Sequence, residues 1–157
     1  MINLILLQFK YRNINEAAAG TAIVTIGVFI VVAVALIPQI LYLLTLQRTL
    51  NEVSTENRKM PPSNVWLLLI PLFNIVWNFI VVDKLADSLK AEFSKRNVNN
   101  IEERPGYTIG LVYSILICCC FIPILNIFAG LGAIVCWILY WVKIANFKTL
   151  LKQNNIN

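Results

Sequence analysis

Charged side chains are absent from three long stretches of this chain, which run over residues 17–47, 60–82 and 105–142. A helix needs about 20 apolar residues to cross the hydrocarbon core of a bilayer, so each stretch is long enough to be embedded in one. Hydrophobic residues make up 59% of the sequence. Soluble domains usually reach only about 45–50%. These observations predict an integral membrane protein.

The lengths of the uncharged stretches predict four membrane-spanning helices. The first covers about 17–46 and exceeds one crossing, so it must tilt, bend at Pro38 or protrude. The second covers about 64–82. The third stretch is too long for one crossing and is expected to form a tight hairpin of helices 107–122 and 127–143. The expected fold class is all-α, a polytopic membrane helix bundle in which the whole chain is one membrane domain.

Aromatic residues locate the turn of this hairpin. Two tryptophans and a tyrosine directly precede Lys143, which is typical of a helix end at the membrane interface. Counting back about 16 residues, close to one crossing, reaches Ile127. The sequence therefore places the turn at residues 122–126 rather than at Gly130 or Gly132.

Two of these helices are expected to continue outside the membrane as amphipathic segments. Leucine and phenylalanine recur at helical spacing after the second helix, which predicts an extension over about 83–97. A similar stripe follows the fourth helix, formed by Ile144, Phe147, Leu150 and Leu151. We expect the two extensions to pack together, the alternatives being that they lie on the membrane or bind a partner.

The distribution of basic residues predicts the orientation. With four crossings, both termini and residues 83–106 lie on one side and carry ten Lys or Arg residues, against three in residues 47–62 on the other. The positive-inside rule then predicts that both termini are cytoplasmic. Because the net charge of +5 is spread over membrane-flanking positions, it favours lipid headgroups rather than nucleic acid as the partner.

A short repeat, Ile-Pro-x-x-Asn-Ile, occurs at residues 70–75 and 122–127, and a partial third copy begins at Ile37. Proline removes a backbone donor, and in lipid the affected backbone must be satisfied within the protein or by water. One interpretation is a pair of kinks whose asparagines bond to neighbouring helices. The other is a pair of broken helices that line a polar path, as in transporters. The residues concerned are Pro71, Asn74, Pro123 and Asn126.

The repeat also leaves a second topology open. If Pro71 marks a turn like the one at Pro123, residues 64–70 re-enter the membrane, and the loops 47–62 and 83–106 share a side. The full crossing of residues 64–82 remains the expectation.

Small residues recur at helical spacing in the third and fourth helices, where they favour close helix packing within the chain or against another subunit. The candidate packing residues are Gly110, Ser114, Ala129 and Gly132.

Residues suited to catalysis are sparse. The chain has no histidine, which excludes His-based acid–base catalysis and the usual catalytic zinc sites. Cys118, Cys119 and Cys120 point to different faces of a helix and lack the spacing of a metal site. We expect them, with Cys136, to be packing residues, and we expect no cofactor and no metal.

Several motifs are similar to those of small bacterial membrane proteins of the domain-of-unknown-function type. They are Lys59-Met60-Pro61-Pro62, Trp66, Ile70-Pro71, Asn74, Trp77, Arg104-Pro105-Gly106-Tyr107 and Ile122-Pro123-x-x-Asn126. The resemblance covers roughly residues 58–150 and implies a four-helix unit in the bacterial inner membrane. It implies no activity.

The sequence favours a non-enzymatic membrane subunit or accessory protein that acts by helix–helix association, with itself or with a larger complex. The alternative is a small transporter or channel whose path passes Pro71, Asn74 and Asn126. An enzyme acting on lipid or quinone is a third reading, and it would have to use groups such as Asp83, Asp87 or Tyr107.

Overall fold

The computed structural model describes residues 2–98 and 101–153, and it is built from five helices in these ranges. They are α1 (Ile2–Glu52), the 3₁₀-helix η1 (Pro62–Leu69), α2 (Phe73–Lys95), α3 (Tyr107–Cys119) and α4 (Asn126–Gln153). No strand occurs in the described ranges. The predicted all-α class is confirmed.

Contacts divide the chain into two units, Met1–Ile40 and Leu41–Asn157. The first unit contains the part of α1 before Leu41, and every side chain from Tyr11 to Ile37 is exposed. The second unit contains the last turns of α1 and all the other helices. It has the only core of buried apolar side chains among the described residues.

Two helical segments are long and apolar enough to cross a bilayer, Lys10–Glu52 and Asn126–Gln153. α1 begins before the expected 17–46 segment because the preceding residues tolerate a helix and include an Arg12–Glu16 pair one turn apart. It continues through Pro38 without interruption.

The continuous helix expected over residues 64–82 is interrupted in the structure. η1 ends at Leu69, the chain reverses direction, and α2 begins at Phe73. Pro71 cannot continue a helix, because its ring clashes with the carbonyl four residues back. The next residue, Leu72, has a φ of 65°, in the left-handed region that ordinary side chains rarely adopt.

η1 and α2 form an antiparallel pair, called the first hairpin below. The Trp77 indole donates to the Asn64 carbonyl over 2.8 Å. Further from the turn, the Lys59 backbone N–H donates to the Ser88 hydroxyl over 2.9 Å. The two arms thus run side by side from residues 70–72 back to the loop that follows α1.

α3 and α4 form the second hairpin, whose turn lies at residues 120–125, in the region predicted from the aromatic residues. A Cβ placed on Gly110 would lie 2.8 Å from the Tyr140 ring, and one on Gly132 would lie 3.3 Å from Leu116. These approaches place the beginning of α3 beside the middle of α4 and bring the ends nearest the turn together.

The two hairpins pack against each other through α2 and α3, which run antiparallel. Asn78 donates to Ser114 over 3.0 Å, and Arg104 donates to Asp83 over 2.7 Å. Both turns therefore lie at one end of the second unit, called the apolar end. The opposite end, called the charged end, comprises residues 47–62, 83–98, 101–106 and 143–153.

Residues 47–62 were expected on the opposite side of the membrane from residues 83–106, and the structure contradicts this. Ser54 and Asn57 donate hydrogen bonds to Glu92, and Lys95 forms an ion pair with Glu56. The reason is the reversal at Pro71, which returns the chain to the end from which it came. The contacts correspond to the second topology that the repeat left open.

The core of the second unit lies toward the charged end. The last turns of α1 contribute Tyr42, Leu43, Leu46 and Leu50. They pack with buried residues of α2 and α4, namely Leu85, Leu89, Phe93, Tyr140, Ile144, Phe147 and Leu151. The rings of Phe93 and Phe147 meet edge to face at 5.7 Å. The predicted packing between the two amphipathic extensions is confirmed.

Candidate functional site

Both full copies of Ile-Pro-x-x-Asn form the turn of a hairpin. In the first turn the Asn74 backbone N–H donates to the Ile70 carbonyl over 2.9 Å, and in the second the Asn126 N–H donates to the Ile122 carbonyl over 3.0 Å. The proline inside each loop has no N–H that needs a partner. The repeat in sequence is therefore a repeat in structure, and the same bond closes both turns.

The side chains proposed for a polar path lie at these two turns. Pro71, Pro123 and Asn126 are exposed, and Asn74 is half-buried. Neither asparagine side chain has a hydrogen-bond partner among the described residues. No hydrogen bond joins the two turns within that part of the chain, so the geometry does not assemble these residues into one polar site.

The hydrogen bond between helices is made instead by the side-chain amide of Asn78, which the sequence reasoning did not identify. Its side chain is 2% exposed and donates to the Ser114 hydroxyl. Ser114 in turn donates to the Gly110 carbonyl over 2.8 Å. The available signal was the position of Asn78 one helical turn after Asn74, in the otherwise apolar first half of α2.

The four candidate packing residues lie at contacts within the chain. Gly110 and Ser114 face α2, where a Cβ on Gly110 would come within 2.6 Å of Val82. Ala129 is buried, and Gly132 lies against Leu116 of α3.

The apolar end of the second unit exposes large hydrophobic side chains. Leu72 is 75% exposed, Ile124 88% and Phe128 79%. Burying a side chain of this size away from water stabilises a protein by roughly 1.5–3 kcal/mol. Exposed apolar surfaces of this kind are typical of proteins that contact lipid or another protein.

The charged end is organised around a buried carboxylate. Glu92 is 2% exposed and accepts hydrogen bonds from the Ser54 N–H (3.1 Å), the Ser54 hydroxyl and the Asn57 amide (2.8 Å). Arg96 donates to its other oxygen over 2.6 and 2.8 Å. Burial raises the pKa of Glu92, but these hydrogen bonds outweigh burial and lower the pKa to about 2.

Arg96 connects this carboxylate to the ends of two helices. Its guanidinium donates to the carbonyl of Glu52, the last residue of α1, over 3.1 Å, and to that of Leu151 near the end of α4 over 2.6 Å. Carbonyls at helix C-termini lack helical partners and attract cations. Glu92 and Arg96 thus join α1, α2 and α4 in one network.

A second ion cluster lies at the boundary between α2 and α3. Arg104 donates to Asp83 and to Asp87, each over 2.7 Å, and its guanidinium carbon lies 3.9 Å from the centre of the Tyr107 ring. The hydrogen bond from Arg104 lowers the pKa of Asp83. Both carboxylates face a cation, so this cluster orients residues 101–106 against α2.

Three tryptophan side chains of the second unit donate hydrogen bonds. Trp66 donates to Gln47, Trp77 to the Asn64 carbonyl and Trp141 to Thr45, over 2.8–3.0 Å. All are partly buried. Tryptophans with an apolar ring and a bonded indole N–H are typical of a membrane interface.

The four cysteines are free thiols of intermediate exposure. No group of three His, Cys, Asp or Glu side chains is arranged to hold a metal within the described residues. The fold thus defines an all-α protein with two helices long and apolar enough to span a membrane. No protein-family model, curated protein or solved structure matches the chain.

Proposed function

We propose that this chain is a non-enzymatic membrane subunit or accessory protein of the bacterial inner membrane that acts by helix–helix association. One observation carries the proposal. The most apolar 18-residue window of α1 has no residue buried within the chain. In the exposed part of α1, Gly20 and Gly27 have no neighbouring atom within 4 Å of an added Cβ. Small residues on a membrane helix allow close approach of a partner helix.

In the proposed membrane arrangement, residues 17–46 cross the bilayer and both hairpins insert from the side of the charged end. The part of α2 from Phe73 to Val82 is about 15 Å long. The part of α4 from Asn126 to Val142 is about 25 Å long. The apolar part of α2 is much shorter than the hydrocarbon core of roughly 30 Å, which supports a first hairpin that enters and leaves through one surface.

The basic residues support a cytoplasmic charged end. Eleven of the thirteen Lys and Arg residues occur at or after Arg48, and only Lys10 and Arg12 precede the first apolar stretch. The positive-inside rule then puts the charged end in the cytoplasm. A single crossing by residues 17–46 puts the N-terminal residues on the other side, so this proposal replaces the expectation of two cytoplasmic termini.

The chemistry of the buried carboxylate supports a structural role. A general acid or base works best with a pKa near the operating pH, whereas Glu92 has a pKa of about 2 and hydrogen bonds to both of its oxygens. Asp83 and Asp87 are paired with Arg104. These carboxylates therefore hold the charged end together.

The proposal is tested by substituting the small residues of α1. The full chain is expressed in a bacterial membrane and purified in mild detergent, and its mass is measured by native mass spectrometry. We expect a defined complex, with a second copy or with another membrane protein. Gly27→Leu should dissociate this complex by filling the approach surface, whereas Val28→Leu, at an exposed position next to it, should leave the complex intact.

Circular dichroism of each variant controls for folding. A chain that is monomeric both in membranes by in-cell crosslinking and in mild detergent would contradict helix association. Extraction of the chain from membranes by alkaline carbonate would contradict membrane integration itself.

A further inference from the structure

A groove on the second unit lies between α2 and α3, where the apolar end meets the charged end. Its volume is about 410 Å³. Its apolar wall is formed by Phe79, Ile80 and Leu111, and Asp83, Lys84 and Tyr107 line it at the charged end. A phospholipid is likewise divided into an apolar and a polar part, with its acyl chains on one side of the membrane interface and its charged headgroup on the other.

The polar groups at the groove are only partly satisfied within the chain. Arg104 bonds to Oδ1 of Asp83, and Oδ2 forms a long ion pair with Lys84 at 3.7 Å. The Lys84 side chain is 45% exposed and that of Asp83 is 40% exposed, so this ion pair is open to solvent. The groove therefore offers an exposed ammonium and a carboxylate oxygen that are only loosely paired with each other.

We infer that this groove binds an aminophospholipid whose headgroup carries both a phosphate and a primary ammonium. The phosphate accepts hydrogen bonds from Lys84, the ammonium donates to Asp83, and an acyl chain lies along the apolar wall. The charges of Lys84 and Arg104 balance those of Asp83 and Asp87, which suits a headgroup without net charge. The inference rests on the proposed membrane location.

The test measures lipid retained by the full chain in native mass spectrometry. Purified protein is titrated in detergent with phosphatidylethanolamine, phosphatidylcholine or phosphatidylglycerol of matched acyl chains. We expect phosphatidylethanolamine to bind most tightly, because the choline headgroup has no N–H donor and the glycerol headgroup has no cation. Lys84→Gln should weaken binding about tenfold, the loss of one hydrogen bond to a charged group.

Lys90→Gln is the matched control, since Lys90 is 49% exposed on the same helix and does not line the groove. Ile80→Trp fills the apolar wall and should also reduce retention. Equal retention of the three lipids, or equal losses in Lys84→Gln and Lys90→Gln, would overturn the inference while leaving the membrane proposal standing. Failure of the chain to remain in the membrane fraction would instead overturn the proposed function.

Discussion

Gly110 lies where α3 approaches both α2 and α4. An added Cβ would lie 2.6 Å from Val82 and 2.8 Å from Tyr140, closer than real side-chain contacts. We predict that Gly110→Ala lowers the free energy of unfolding by about 1–3 kcal/mol, the usual cost of overpacking. Thermal unfolding in detergent measures the effect. Gly130→Ala is the control, because an added Cβ there has no neighbour within 4 Å, and a drop of similar size in this variant would contradict the packing account.

The ionised carboxylate of Glu92 is expected to make a measurable contribution to the stability of the fold. Its pKa falls from an ordinary value of 4.5 to about 2 in the folded chain. A lowered pKa means stability that is present above about pH 4.5 and is lost as the pH falls toward 2, roughly 3 kcal/mol in total. We predict that Glu92→Gln loses a similar amount at neutral pH and flattens the stability profile between pH 4.5 and 2.

Glu103→Gln is the matched control because the Glu103 side chain is 89% exposed. It should leave both the stability and its pH profile unchanged. If Glu92→Gln keeps the steep loss of stability between pH 4.5 and 2, another carboxylate is responsible.

At the residue scale, sequence reasoning identified small residues more readily than polar ones. Gly110 and Ser114 stand out because small residues repeat at helical spacing. Asn78 did not, because the importance of a buried polar group depends on its partner. Its partner, Ser114, lies 36 residues away in sequence, and no spacing rule connects the two. Glu92 and Arg96 are spaced for a helical pair, but the bond from Ser54 to Glu92 spans 38 residues and could not be predicted.

At the scale of elements, the side-chain amide of Asn78 joins the two hairpins. Its contribution to stability can be compared with that of the Asn74 amide at the turn. We predict that Asn78→Leu costs about 1 kcal/mol, the order of interhelical hydrogen bonds in membranes. Asn74→Leu, one helical turn earlier, should cost less than half of this, since its side chain has no partner among the described residues. Chemical unfolding in detergent compares the two variants, and a larger loss in Asn74→Leu would contradict the assignment.

The helical elements show where length alone misleads. Residues 64–82 have the composition and length of one crossing, yet Pro71 and the left-handed Leu72 divide them. The signal was in the sequence, because the same motif was already assigned to a turn at residues 122–126. Composition could not separate a continuous helix from a reversal, since α1 contains Pro38 without interruption.

At the scale of the whole molecule, the all-α class and the apolar character were predictable from the charge-free stretches. The topology was not, because counting stretches assumes that each one crosses the bilayer. Contacts between residues 54–57 and residue 92 show instead that two loops expected on opposite sides meet. The positive-inside count depends on that alternation, so it changes under the proposed re-entrant hairpin.

The central claim, that the first hairpin returns to the surface it came from, is tested most directly by cysteine labelling. The background variant replaces Cys118, Cys119, Cys120 and Cys136 with Ala. Thr55→Cys then places one exposed thiol in the loop before η1, and Ser94→Cys places one near the end of α2. In intact cells, a membrane-impermeant maleimide should label neither thiol, and permeabilisation should expose both equally. Labelling of one thiol but not the other in intact cells would contradict the re-entrant hairpin and restore a full crossing over residues 64–82.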